Sequence, residues 1–186
     1  MIQCTFMLVP GYTNSGPDHW QSFIERKYVN VVRVMQKDWD NPNRETWRDR
    51  LARSIDGIPS HLFLVGHGCG AISITQWAEH YRSDKVIGAL LVAPADVDAD
   101  CAPTAIQPQR PVPLAALPFS STLICSNNDD YLSLARAQQF AACWGSELLI
   151  KSGAGHWHTD AGYGEWPEIE QMLERLSGFK LIKRQR

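Results

Sequence analysis

The sequence predicts an α/β domain: a three-layer α/β/α sandwich around a sheet of about six mostly parallel strands. Two observations carry this. Short apolar runs alternate with longer amphipathic ones along all 186 residues, the pattern of strands joined by crossover helices. Those short runs are rich in Leu, Val and Ile and lack clean alternation, as expected of strands buried on both faces. A hydrophobic content of 44% against 20% charged residues suits a soluble globular chain, read as a single domain over 1–186.

The elements follow in order. The first strand is expected at Thr5–Val9 and stops at Pro10-Gly11, a turn signal. A helix over Asp18–Lys27 leads to a second strand at Val31–Met35. The next helix, Arg44–Ser54, has Asn43 as its cap and Pro42 just before it. Leu62–Val65 is the third strand, and Gly70–Tyr81 the helix after it. Val86–Val92 is the fourth strand. The segment Asp96–Pro118 holds five prolines and few helix formers. It reads as a long surface excursion, a lid or substrate-facing segment or a plain covering loop. Ser121–Cys125, a helix over Leu132–Cys143, Glu147–Lys151 and a helix over Glu165–Leu176 complete the series. The basic run from Lys180 to Arg186 is expected to be a solvated tail.

Composition also narrows the partners. A formal net charge of −2 gives no electrostatic footprint for nucleic acid or an anionic membrane. The five cysteines are odd in number, widely spread and without a C-x-x-C pair, so neither a disulfide framework nor a zinc site is expected, and a reducing cytoplasm fits better. Met1–Thr5 runs straight into a strand with no signal-peptide pattern, and no apolar run approaches the ~18 residues of a spanning helix. No cofactor or metal is expected, and the oligomeric state is left open.

The most informative stretch is His61–Gly70, an apolar strand running into Gly66-His67-Gly68-Cys69-Gly70 and then a helix. This is the frame of the G-x-S-x-G elbow, the strained strand-to-helix turn that lifts a nucleophilic serine above an α/β-hydrolase sheet. Here Gly68 occupies the serine slot. Such a site also needs a base, an acid to orient it and donors for an oxyanion, with the triad in the order nucleophile, acid, histidine. Asp129 follows the strand ending near Cys125, with Asp130 beside it as an alternative. His156 follows the last strand in a Gly-rich loop, with His158 the weaker candidate. Candidate oxyanion donors are the backbone N–H groups of Cys69 and Tyr12. Cys69 is also an alternative nucleophile, since a thiolate beside a histidine would be strong. With Cys69 at the apex, however, His67 would fall where the tight turn wants a small residue.

With these residues in place, the chain resembles the small retinoblastoma-binding-protein-9-like serine hydrolases over nearly its whole length. The motifs are Val9-Pro10-Gly11-Tyr12-Thr13-Asn14-Ser15-Gly16-Pro17-Asp18-His19-Trp20-Gln21, then Asp38-Trp39-Asp40-Asn41-Pro42 with Trp47, then the elbow. They continue with Ser126-Asn127-Asn128-Asp129-Asp130-Tyr131 and with Gly155-His156 followed by Gly162-Tyr163-Gly164-Glu165-Trp166-Pro167-Glu168. The resemblance implies an α/β-hydrolase fold, Asp129 as acid, His156 as base and carboxylic esters or amides as substrates. Two departures stand out. Gly68 replaces the serine, and Leu123-Ile124-Cys125-Ser126-Asn127 ends in Asn where a retinoblastoma-binding L-x-C-x-E would need Glu. The expected function is hydrolysis of small carboxylic esters or amides, weakened by Gly68. The alternative is a catalytically silent pseudoenzyme that binds a small acyl ligand or a protein partner in the same pocket.

Overall fold

The computed structural model describes residues 1–186. Strands β1 (Cys4–Val9), β2 (Val31–Arg33), β3 (His61–His67), β4 (Val86–Val92), β5 (Ser120–Ser126) and β6 (Glu147–Lys151) form one sheet in the order β2-β1-β3-β4-β5-β6. Every pairing is parallel. Between them run α1 (Trp20–Lys27), α2 (Arg44–Asp56), α3 (Cys69–His80), α4 (Leu134–Trp144) and, after β6, α5 (Pro167–Ser177).

Period-two alternation in the central strands divides the core. Met7 and Val9 of β1, Leu62 and Leu64 of β3 and Leu91 of β4 face a cluster built with α2, α3 and α4, including Trp47, Leu51, Ile74 and Phe140. Their neighbours Phe6, Leu8, Phe63, Val65 and Leu90 face the other side, against Trp20 and Ile24 of α1 and Ile169 and Leu173 of α5. Each such fully buried side chain contributes about 1.5–3 kcal/mol of transfer free energy, which holds helices to both faces.

Side-chain caps set several boundaries. His19 accepts a hydrogen bond from Gln21 N–H, so α1 starts at Trp20, two residues after the sequence reading. Asn43 caps α2 as expected, by accepting from Thr46 N–H, and Ser133 caps α4. β2 is short because the ladder with β1 ends at Leu8 and Arg33.

The structure adds detail to one part of the sequence reading and corrects another. The proline-rich excursion contains a turn of 3-10 helix, Thr104–Gln109, docked on α3 by Gln109. Its Nε2 donates to Cys69 O (2.8 Å) and Ser73 Oγ (3.1 Å). The basic tail is not simply solvated. It returns to α1 and β2 with an antiparallel bridge from Lys183 to Tyr28. Buried Asn30 holds it there, donating to Lys180 O and accepting from Ile182 N–H.

The strand order reverses at β1, since β2 lies on one side of it and β3 on the other. Open α/β sheets take ligands in the crevice beyond the carboxyl ends of the strands at such a reversal. The loop after β1 and the elbow after β3 flank that crevice.

Candidate active site

β3 ends at His67 and α3 begins at Cys69, with Gly68 alone at the turn between them. Gly68 has φ 57° and ψ −123°, a left-handed conformation that L side chains rarely adopt. The flanking glycines fix the register. A β-carbon at Gly66 would lie 2.7 Å from Ala71 Cα, and one at Gly70 would strike the Val9 carbonyl. A β-carbon at Gly68 would instead point into the crevice, 3.1 Å from His156 Nε2. Gly68 is therefore the apex, and its missing side chain is aimed at an imidazole.

The other face of that imidazole meets a carboxylate. His156 Nδ1 lies 3.1 and 3.0 Å from the two oxygens of Asp129. The Asp129 side chain is 0% exposed and also accepts from Tyr131 N–H at 2.8 Å. A carboxylate so placed holds the proton on Nδ1 and leaves Nε2 as a lone-pair acceptor facing the apex. Asp130 is exposed and makes no such contact. His158 is used differently, capping the 3-10 turn Thr159–Ala161 by accepting from Ala161 N–H.

The loops carrying these two groups are laced together. Asn127 Oδ1 accepts from Gly153 N–H (2.9 Å), Ser126 Oγ from Ala154 N–H (2.9 Å) and Asn128 Oδ1 from Gly155 N–H (2.7 Å). Three consecutive side chains before the acid thus take three consecutive amides before the histidine. Both loops leave the carboxyl ends of adjacent strands β5 and β6, which is why short Ser and Asn side chains span the gap.

Cys69 is 3% exposed. Burial pushes its thiol up to about 12, against a weaker backbone hydrogen bond from Tyr12. A thiol there carries almost no thiolate at neutral pH, which argues against the alternative nucleophile. Its backbone N–H belongs to the first turn of α3, where amides have no intrahelical acceptor. The β1 loop comes close, since a β-carbon at Gly11 would lie 3.2 Å from Cys69 N. Tyr12 N–H lies against that sulfur, a weak acceptor that a carbonyl oxygen can replace.

The loop from Thr13 to Gly16 is held from β2. Thr13 and Asn14 both have positive φ. Arg33 donates to Asn14 Oδ1 (3.0 Å) and Ser15 O (2.7 Å) and pairs with Glu25 at 2.7 Å.

Beneath the site lie two histidines whose role the sequence did not disclose. His19 Nε2 lies 3.2 Å from His67 Nδ1, and His67 Nε2 lies 2.6 Å from the His156 carbonyl oxygen. Both are buried. Burial, with Arg33 next, lowers His19 to about 3, and burial, with His156 next, holds His67 well below the usual histidine range. The only available signals were the His-Trp pair at 19–20 and a histidine just before the apex.

A cavity of about 580 Å³ opens over these groups. Its walls include Tyr12, His156 and His158 and, from the proline-rich segment, Pro103, Ala105 and Ile106. That segment therefore faces whatever the cavity holds. No group of three or more His, Cys, Asp or Glu side chains is placed to hold a metal ion.

The sequence model of the family described as "Serine hydrolase" matches residues 6–175. The chain belongs to that family. A solved structure described as a YdeN-like hydrolase from Pectobacterium atrosepticum is 31% identical, with 95% of this chain and 90% of that one covered and a TM-score of 0.81. The ydeN gene product from B. subtilis is 17% identical over 96% of this chain and 100% of its own, with a TM-score of 0.76. Est1E from Butyrivibrio proteoclasticus is 12% identical over 94% and 89%, with a TM-score of 0.64. At those lower identities the likeness is one of fold. No curated protein sequence matches this serine hydrolase family chain, and no helix in it is long and apolar enough to cross a membrane.

Proposed function

We propose that this chain is a small retinoblastoma-binding-protein-9-like hydrolase that turns over small carboxylic esters or amides slowly, with water in place of the serine. The observation that carries the reading is His156 Nε2, backed by Asp129 and aimed at the empty apex 3.1 Å from where a β-carbon would stand. In this reading His156 takes a proton from a water in the crevice, and the resulting hydroxide adds to the substrate carbonyl carbon. The oxyanion so formed faces the N–H groups of Cys69 and Tyr12. The imidazolium then gives its proton to the leaving alkoxide or amine as the carbon–oxygen or carbon–nitrogen bond breaks.

The expected rate is low. Loss of a triad serine costs on the order of 10⁶ in turnover, while binding and oxyanion donors leave roughly 10³–10⁴ over water. A silent acyl-binding protein is the second reading, favoured by the glycine itself, which relieves the backbone strain that a serine would meet there. Five free cysteines support a reducing, cytoplasmic setting.

Hydrolysis of p-nitrophenyl acetate and butyrate tests both. Slow turnover that His156→Ala abolishes and Cys69→Ala leaves intact supports the water mechanism. Gly68→Ser is expected to raise the rate by orders of magnitude. A silent parent with an active Gly68→Ser variant points to the binding protein. Loss of activity in Cys69→Ala would overturn the register argument.

A further inference from the structure

We propose that His19 and His67 are positioning residues: a one-directional relay of two neutral imidazoles that holds the peptide carrying His156 and so aims its ring. The functional meaning rests on His156 being the base of the reaction above.

The direction of the relay is fixed from both ends. Gln21 N–H can only donate, and it donates to His19 Nδ1 at 3.1 Å. A neutral His19 therefore carries its proton on Nε2 and donates to His67 Nδ1. His67 in turn carries its proton on Nε2. At the far end the His156 carbonyl can only accept, and it accepts from that atom. The two ends impose the same tautomers, so no link is frustrated. A proton added to either ring would set two N–H groups against each other.

The peptide at His156 needs such a hold. Its neighbours Gly155 and Trp157 have φ 58° and 54°, so the local backbone is held by contacts rather than by its own preference. Asn128 takes the Gly155 N–H, His67 donates to the His156 carbonyl, and Trp20 Nε1 donates to the Trp157 carbonyl at 3.0 Å. Of the three, only the His67 contact acts on His156 itself. The ring centroids of His67 and His156 are 4.9 Å apart, so the relay also packs against the ring of the base, and His67 and His156 line the same cavity.

The charged and titratable groups facing the pair are Arg33 from β2 and His156 and His158 from the loop after β6. Asp160 lines the same cavity. The guanidinium and the imidazoles among them oppose a proton on the relay, in keeping with the neutral tautomers that its two ends impose.

Long-range proton–nitrogen correlation NMR of the histidine-labelled protein tests this without requiring turnover, so absent hydrolysis would not decide it. The expected pattern is Nε2–H for His19 and His67, unchanged from pH 8 to 5, and Nδ1–H for His156. Either of the first two appearing as Nδ1–H, or titrating in that range, overturns the relay. In His67→Phe the His156 Nδ1 proton is expected to exchange with water measurably faster than in the unaltered protein, and His67→Gln, which keeps a donor, to restore much of its protection. A folded His67→Phe with unchanged exchange overturns the positioning role. If that variant does not fold, the tautomers of the unaltered protein decide the relay alone.

Discussion

At the scale of single residues, the site turns on one backbone conformation and two buried rings. Gly68 sits at φ 57°, where a side chain costs about 1–3 kcal/mol. Gly68→Ser should therefore lower stability by about that amount in urea unfolding even as it gains activity, because its β-carbon would also crowd His156 Nε2 at 3.1 Å. The histidines predict a pH dependence. His19 falls from 6.5 to about 3 on folding, so the unfolded chain takes up its proton first as pH drops. Its contribution to stability is complete above about pH 6.5 and is lost between there and about 3, at up to about 1.4 kcal/mol per pH unit. His67 adds in the same direction. Urea midpoints at pH 7, 6 and 5 should fall steadily, and less so in His19→Gln.

Between elements, the acid and histidine loops act as one unit because Ser126, Asn127 and Asn128 occupy the amides of Gly153, Ala154 and Gly155. Ser126 is buried, so Ser126→Ala strands the Ala154 amide and should cost about 1–3 kcal/mol. Hydrolysis by the Gly68→Ser protein should fall with it, read as a lower kcat. The start of α3 makes a second unit. Gln109 ties the proline-rich segment to Cys69 O and Ser73, which keeps Cys69 covered. Iodoacetamide should accordingly label exposed Cys101 in the folded protein and reach Cys69 only after unfolding.

Across the whole molecule, chemistry and anchorage lie at opposite ends of the sheet. The strand reversal at β1 opens the crevice at the carboxyl ends, while the tail closes the amino ends by way of Asn30, which also donates to Cys4 O. Removing Lys180–Arg186 leaves the Asn30 amide short of two partners. A loss of about 1–3 kcal/mol is expected, with the His156 tautomer unchanged because the site is remote. A shifted tautomer in the truncated chain would contradict that separation.

The sequence by itself determined the order of strands and helices, the parallel sheet, the strand-to-helix turn at Gly66–Gly70 and Asp129 and His156 as candidate partners, whose side chains the fold brings together. These are local signals: apolar runs, caps, turn residues and a spacing of glycines that sterics demand. It left Asp130 and His158 as alternatives, since neighbouring residues share one local pattern and only the fold decides which carboxylate meets which ring. The tail could not be read because its partner, Asn30, lies about 150 residues away and the docking bonds are to backbone. The relay was hidden for the same reason. His19 caps a helix, His67 ends a strand, and each is unremarkable until the switch between β1 and β3 brings both under the carbonyl of His156. Contacts between residues distant in the chain carry no local signature, so the tertiary structure alone decided how the base is held.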